Sequence, residues 1–313
     1  MEDLTKSIVI PLDGSKNSLR SLDYINLIYG PNHNLEVTLI YILPSLPPIL
    51  TDTKCIDKKT RTKLKSVEKK NEEMAEQILS EAKNILISKG FNEKRIKPCC
   101  QKRGITVAQD ICILASIKQA DTILLTKRGR TEIKSFFMGE VSAKLVEYHK
   151  NNPVWILEGC INSKNVLVCV DSSENALRAV EHVGFMLSGT DCRITIFHTM
   201  RHLSRFVPMQ VLEEAEDLEK LWRNKAGVEI APYIKKAREI LLKSGLNEEQ
   251  ITTKVTEGSR SAADDILKEA QDNNHGTIVM GRRGLSAVKE FFMGSVTNSV
   301  LNSATSLAIW IVQ

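Results

Sequence analysis

The sequence predicts an α/β protein made of two tandem copies of one doubly wound domain, and three observations carry that prediction. The chain of 313 residues is about twice the length of an ordinary domain. An internal echo runs through it: Lys134-Ser-Phe-Phe-Met-Gly-Glu-Val141 returns as Lys289-Glu-Phe-Phe-Met-Gly-Ser-Val296, with six of eight positions identical at an offset of 155. TILLTKRG (122–129) returns at the same offset as TIVMGRRG (277–284), Gly104 returns as Gly258, and Asp13 as Asp171, so the offset drifts only through loop lengths. A period this long exceeds that of a solenoid and means a duplicated domain, with copies at 1–160 and 161–313 and a junction near Gly159 to Ser163. Finally, each copy alternates strand-like and helix-like segments, which calls for a parallel sheet covered by helices on both faces.

The elements follow in order. In the first copy an apolar run at 6–12 is a strand, and Ser15 to Tyr29 is an amphipathic helix with Ser15 as its N-cap. A second strand, EVTLIYIL (36–43), leads through a Pro-rich stretch into a long helical segment over 57–89 that Gly90 stops. A third strand near 95–101, a helix over 105–119, a fourth strand at 122–126, a helix over 140–150 and a last strand at 153–157 complete the copy. The second copy repeats the plan, with strands near 165–170, 193–199, 251–256, 277–280 and 307–312. The last strands, PVWIL and LAIWIV, are apolar edges that need covering; their association would make the chain an internal pseudo-dimer.

Composition narrows the class. Apolar and charged shares of 42% and 26% are ordinary globular values and exclude long disorder, a collagen-like repeat and a coiled-coil rod. No window approaches the ~18 uninterrupted apolar residues of a membrane span, and MEDLTKSIVIPLD runs into a strand with no signal peptide. A cytoplasmic protein with no membrane partner is therefore expected. The seven cysteines, Cys55, Cys99, Cys100, Cys112, Cys160, Cys169 and Cys192, include no C-x-x-C pair, which argues against a disulfide framework or a zinc knuckle. Residues 1–160 carry 25 cations and 19 anions, residues 161–313 carry 18 and 19. Most of the excess lies between Lys54 and Lys70, where no aromatic residue is interleaved to stack bases. A solvated helix entrance is the expected reading of that run, and nucleic acid is not an expected partner.

In an open parallel sheet, ligands bind beyond the carboxyl ends of the strands, where strand order reverses. After the fourth strand of the second copy comes Gly281-Arg282-Arg283-Gly284, then nine residues, then Gly294-Ser295 opening a helix. Gly281 and Gly284 let the backbone turn and approach a phosphate without a Cβ in the way. Gly294 and Ser295 place backbone N–H groups and a hydroxyl at a helix N-terminus, where an anion is favoured. Taken alone, such glycines are a weak signal, since closing a turn and capping a helix also accounts for them.

The full constellation, G-x2-G-x9-G-[S/T] with an Asp ending the first strand, resembles the nucleotide-binding signature of the universal stress protein family. The resemblance spans nearly the whole chain as two tandem copies. It implies Rossmann-like domains of the adenine nucleotide alpha-hydrolase type, each with a five-stranded parallel sheet in the order 3-2-1-4-5. In the second copy it implies bound ATP with a divalent cation such as Mg or Mn on the phosphates. By position, adenosine should meet Cys169, Val170 and Asp171, with backbone contacts from His198-Thr199. The triphosphate should meet Gly281, Arg282, Arg283, Gly284, Leu285, Ser286 and Ala287, and then Gly294, Ser295, Val296 and Thr297. Asp171 is open to two readings, a ribose or metal contact or a cap on the following helix. His198, on an apolar strand, reads as a packed core residue rather than a ligand or base.

The first copy departs from the pattern: Thr126 replaces the first Gly, and Glu140 replaces the Ser or Thr. A carboxylate in a phosphate cradle costs on the order of 1 kcal/mol at ~4 Å in water and more when partly buried, so ATP is expected in the second copy and little or none in the first. No Walker motif, G-x-G-x-x-G, H-E-x-x-H or G-x-S-x-G is present, and the six histidines form no metal-ligand spacing. A nucleotide-binding stress-response or regulatory module is thus favoured over an enzyme. The alternatives are a slow ATPase or phosphotransferase using Asp171 and a metal, and a nucleotide-free interaction scaffold. The segment 201–222, with Phe206, Met209 and Trp222, reads as a packed amphipathic helix, or else as a lid or surface for a protein partner. A homodimer through the last strands is compatible with the same pattern.

Overall fold

The computed structural model describes residues 5–31, 33–51, 57–127, 140–148, 152–201, 203, 207, 216–258, 261–284 and 293–313. Contacts divide the chain between Asn152 and Pro153 into two compact units. The first contains β1 (Lys6–Pro11), α1 (Lys16–Tyr29), β2 (Leu35–Leu43), α2 (Lys58–Ser88), β3 (Ile96–Lys102), α3 (Val107–Ile117), β4 (Thr122–Thr126) and α4 (Glu140–Tyr148). The second contains β5 (Val154–Glu158), β6 (Asn165–Cys169), α5 (Glu174–Leu187), β7 (Arg193–Met200), α6 (Glu216–Lys243), β8 (Ile251–Glu257), α7 (Ala262–Asp272), β9 (Thr277–Gly281), α8 (Ser295–Ser303) and β10 (Leu307–Val312).

Within the first unit the strands lie in the order β3-β2-β1-β4, all parallel. Within the second, β8-β7-β6-β9-β10 are parallel, which in the numbering of the copy is the expected 3-2-1-4-5. The central strands are apolar on both faces, as a doubly covered sheet demands: Ile8, Val9 and Ile10 in β1 and Val166, Leu167 and Val168 in β6 are fully buried.

The duplication extends to single hydrogen bonds. Asp13 Oδ1 accepts from Ser15 N at 2.9 Å and Asp171 Oδ1 from Ser173 N at 3.0 Å. Ser15 and Ser173 are the N-caps of α1 and α5, accepting from Ser18 N and Ala176 N. The α2 and α6 helices both end at a left-handed glycine, Gly90 at φ +89° and Gly245 at φ +95°, a geometry in which any Cβ is strained.

The fifth strand of the first copy, β5, lies in the second unit because it pairs antiparallel with β10, Trp155 standing opposite Trp310. The two indoles stack with centroids 3.6 Å apart, and Trp155 Nε1 donates to His182 Nε2 at 3.0 Å. Burial holds the His182 imidazole at a pKa of about 3, so it is neutral and its Nε2 is free to accept that bond. Among the described residues no helix is long and apolar enough to cross a membrane.

Candidate functional site

Strand order reverses at β6, which has β7 on one side and β9 on the other. Beyond the carboxyl ends of these strands lies a cavity of about 510 Å³, within the range of small-molecule sites. Its walls bring together Cys169, Val170 and Asp171 from the end of β6, Thr199 from β7, Gly281, Arg283 and Gly284 after β9, and Gly294, Ser295, Val296 and Thr297 at the start of α8. Those segments are up to 128 residues apart in the chain, from Cys169 to Thr297. Arg282 is not on the wall. It is 3% exposed, its N–H bonds the Val312 carbonyl at 2.6 Å and its Nη1 donates to Gln313 Oε1 at 3.1 Å, so this cation braces the end of β10. Leu285, Ser286 and Ala287 lie outside the described residues.

Each glycine has a local reason. A Cβ on Gly284 would collide with Asp171 Oδ2, and one on Gly281 would stand 3.0 Å from the Asn175 backbone. Gly294 is the N-cap of α8 and supplies no side-chain acceptor, which leaves the first-turn N–H groups of Ser295, Val296 and Thr297 without partners inside the helix. The Thr297 hydroxyl is committed to structure: it donates to the Gly281 carbonyl at 3.0 Å. Ser142 makes the same bond to Thr126 in the first copy, also at 3.0 Å. Asp171 is not itself the cap of α5 but holds the residue that is. Its Oδ1 accepts from Ser173 N and Ser173 Oγ and so positions the true cap, Ser173, while Oδ2 faces Gly284 on the cavity side.

Several wall residues were outside the predicted site set, Trp222 having been read as part of a packed helix or a lid over 201–222. The α6 helix contributes Trp222, Lys225, Ala226, Glu229 and Ile230, and α7 contributes Ala262 and Ile266. Trp222 is anchored by its Nε1, which donates to the Arg201 carbonyl at 2.8 Å. His198, expected in the core, is half-buried on the wall, its Nδ1 2.7 Å from the Val170 carbonyl. A carbonyl only accepts, so Nδ1 carries the proton. Desolvation lowers the His198 pKa against the opposing pull of that bond and of the Asp171 and Glu229 charges. Burial and the Asp171 carboxylate push the Cys169 thiol well above its ordinary range, which removes it as a nucleophile. Thr199 Oγ1 donates to Asp265 Oδ2 at 2.8 Å, and Gly258 packs against both side chains and the Met200 carbonyl.

A parallel sheet with helices on both faces and a glycine-lined cavity at its switch point defines an α/β protein of the doubly wound class. Comparison with known proteins makes the class specific. The model of the universal stress protein family matches residues 5–157 and again 162–311. The chain is 25% identical over 149 residues to the universal stress protein YxiE of Bacillus subtilis (strain 168), covering 45% of this chain and 93% of that protein. Among solved structures, a universal stress protein from Archaeoglobus fulgidus DSM 4304 superposes with a TM-score of 0.63 at 19% identity over 97% of each chain. A Pseudomonas aeruginosa PAO1 protein superposes with a TM-score of 0.53 at 12% identity, over 99% of this chain and 92% of its own. The chain belongs to the universal stress protein family, as a tandem member.

Proposed function

We propose that this protein is an ATP-binding regulatory module of the stress-response kind, with ATP held in the second copy. The observation that carries the reading is the convergence of Asp171, Gly281, Gly284, Gly294 and Ser295 on one cavity. The open N–H groups at the start of α8 suit a phosphate chain. The apolar end formed by Ile230, Ala262 and Ile266 suits a base. Among the described residues no group of three or more His, Cys, Asp or Glu is placed to hold a metal. A divalent cation therefore fits as one carried in by the phosphates, with Asp171 and Glu229 as the carboxylates on the wall. When bound, that cation would neutralise phosphate charge. The protein's own groups bind and orient, and no activated nucleophile stands on the described wall.

Occupancy would bias the partner-binding state by the differential affinity of ATP for two conformations. The test is calorimetric titration with ATP and Mg. Wild type should bind, and Ser295→Glu should lose affinity by at least tenfold, since a carboxylate would face the phosphates. Two equivalent sites per chain, or binding indifferent to Ser295→Glu, would contradict the proposal.

A further inference from the structure

The helix α3 carries an exposed apolar face that its counterpart in the second copy lacks. Its buried side is ordinary, with Ala108, Ile111, Leu114 and Ala115 turned into the fold. On the outer side, however, Ile113 and Ile117 stand one turn apart and are 45% and 68% exposed. Ile105, just before the Thr106 N-cap, is 63% exposed. A hydrophobic residue at that position ordinarily packs on the fourth helical residue. Here the fourth residue is Asp110, which is buried and accepts from Gly104 N at 2.9 Å and from Ile105 N at 3.2 Å.

At about 100° per residue, Gln109, Cys112, Ile113, Ser116 and Ile117 share one face spanning roughly 140°. Asp110 is the only charged residue from Gly104 to Ile117, so the outer face of the helix carries no charge. The duplication shows that the scaffold does not require this. At the 155-residue offset, Asp264, Lys268 and Asp272 of α7 stand where Gln109, Ile113 and Ile117 stand in α3, and all three are exposed. The two helices are otherwise built alike. Each opens on a hydroxyl N-cap, Thr106 or Ser261, and each is followed by a left-handed residue, Gln119 or Asn274, at φ 50°.

We propose that the outer face of α3 is a two-fold interface at which a second copy of this chain docks. Positions 105, 109, 113 and 117 are spaced symmetrically about residue 111. Two antiparallel copies of α3 therefore set Ile105 against the partner's Ile117 and Gln109 against the partner's Ile113, the self-complementary pairing of an isologous contact. Antiparallel helix dipoles favour the same arrangement. Like can meet like here because the face is uncharged, whereas residues 1–160 as a whole carry 25 cations and 19 anions. The last strand offers no such contact: β10 has β9 on one edge and β5 on the other. The three isoleucines expose on the order of 300 Å² of apolar surface, a size at which a patch is often functional. A stable interface buries about 800 Å² per partner, so the dimer is a concentration-dependent one of micromolar affinity.

The test is sedimentation equilibrium of the full chain from about 2 to 200 µM, a range that brackets micromolar affinity. Wild type should pass from monomer to dimer across it. Ile113→Glu should weaken the dimer at least tenfold, and Ile105→Lys and Ile117→Glu should each weaken it. The double variant Ile105→Lys/Ile117→Glu should recover much of the loss, because each new lysine faces the partner's new glutamate. Lys268→Glu, the matching change on α7, should leave the equilibrium unchanged. Wild type that stays monomeric to the highest concentration would overturn the proposal. So would a dimer indifferent to Ile113→Glu, or a double variant no better than either single one.

Discussion

At the residue scale, the site rests on positions where a side chain is either required or forbidden. Gly258 is of the second kind: its N–H bonds the Met200 carbonyl at 2.9 Å, and a Cβ there would collide with that oxygen and stand 2.7 Å from Thr199 Oγ1. Gly258→Ala should therefore cost about 1–3 kcal/mol, as overpacking does, measured by denaturant unfolding, and should weaken ligand binding by displacing Thr199. His182 gives a pH dependence. Its folded pKa of about 3 lies below the ordinary 6.5, so below pH 6.5 the unfolded chain binds more protons. Stability contributed by the neutral ring is complete above pH 6.5 and declines as pH falls towards 3, with a slope of up to about 1.4 kcal/mol per pH unit. His33, lowered to about 4 chiefly by burial, adds the same trend above its own pKa. Unfolding curves between pH 7 and 4.5 should show the decline, and His182→Gln should make it shallower.

Much of the site was legible at this scale because glycines and acidic strand ends have few uses. Asp171, Gly281, Gly284, Gly294 and Ser295 were marked by spacing, and all reach the cavity. Arg282 and Arg283 were indistinguishable as adjacent cations, yet the backbone sends Arg283 to the wall and Arg282 to the end of β10. His198 looked like core because strand periodicity does not mark where a strand runs out from under its covering helices. Lys225 and Glu229 were not recognisable as wall residues either. An amphipathic helix shows the same pattern whether its inner face meets a sheet or a ligand.

At the element scale, the strands and helices follow the periodicity of the sequence closely, since continuous apolar runs bounded by caps and glycines admit few alternatives. Ser15, Ser173 and Thr106 all serve as N-caps. What periodicity could not show is the partner of an apolar edge. PVWIL is buried in the second unit through its antiparallel pairing with β10. Trp155, Trp310 and His182 pack there as one aromatic cluster. Trp310→Ala removes a fully buried indole and its stacking partner's contacts, and should cost about 3–5 kcal/mol. A thermal midpoint within a degree or two of wild type would show that the cluster contributes little.

At the scale of the whole molecule, duplication has kept the scaffold and let the chemistry of the two copies diverge. The Asp–Ser cap, the glycine stops and the Thr297 or Ser142 strut recur bond for bond. The residues at the proposed phosphate position do not: Gly281 and Ser295 in one copy stand where Thr126 and Glu140 stand in the other. The long helix has diverged in the same way, its N-terminal turns lining a cavity in the second copy and carrying exposed lysines in the first. Native mass spectrometry of the purified chain with ATP and Mg tests this division most directly. One ATP per wild-type chain, and none on Ser295→Glu, is the predicted result; two ATP per chain, or none on wild type, would contradict it.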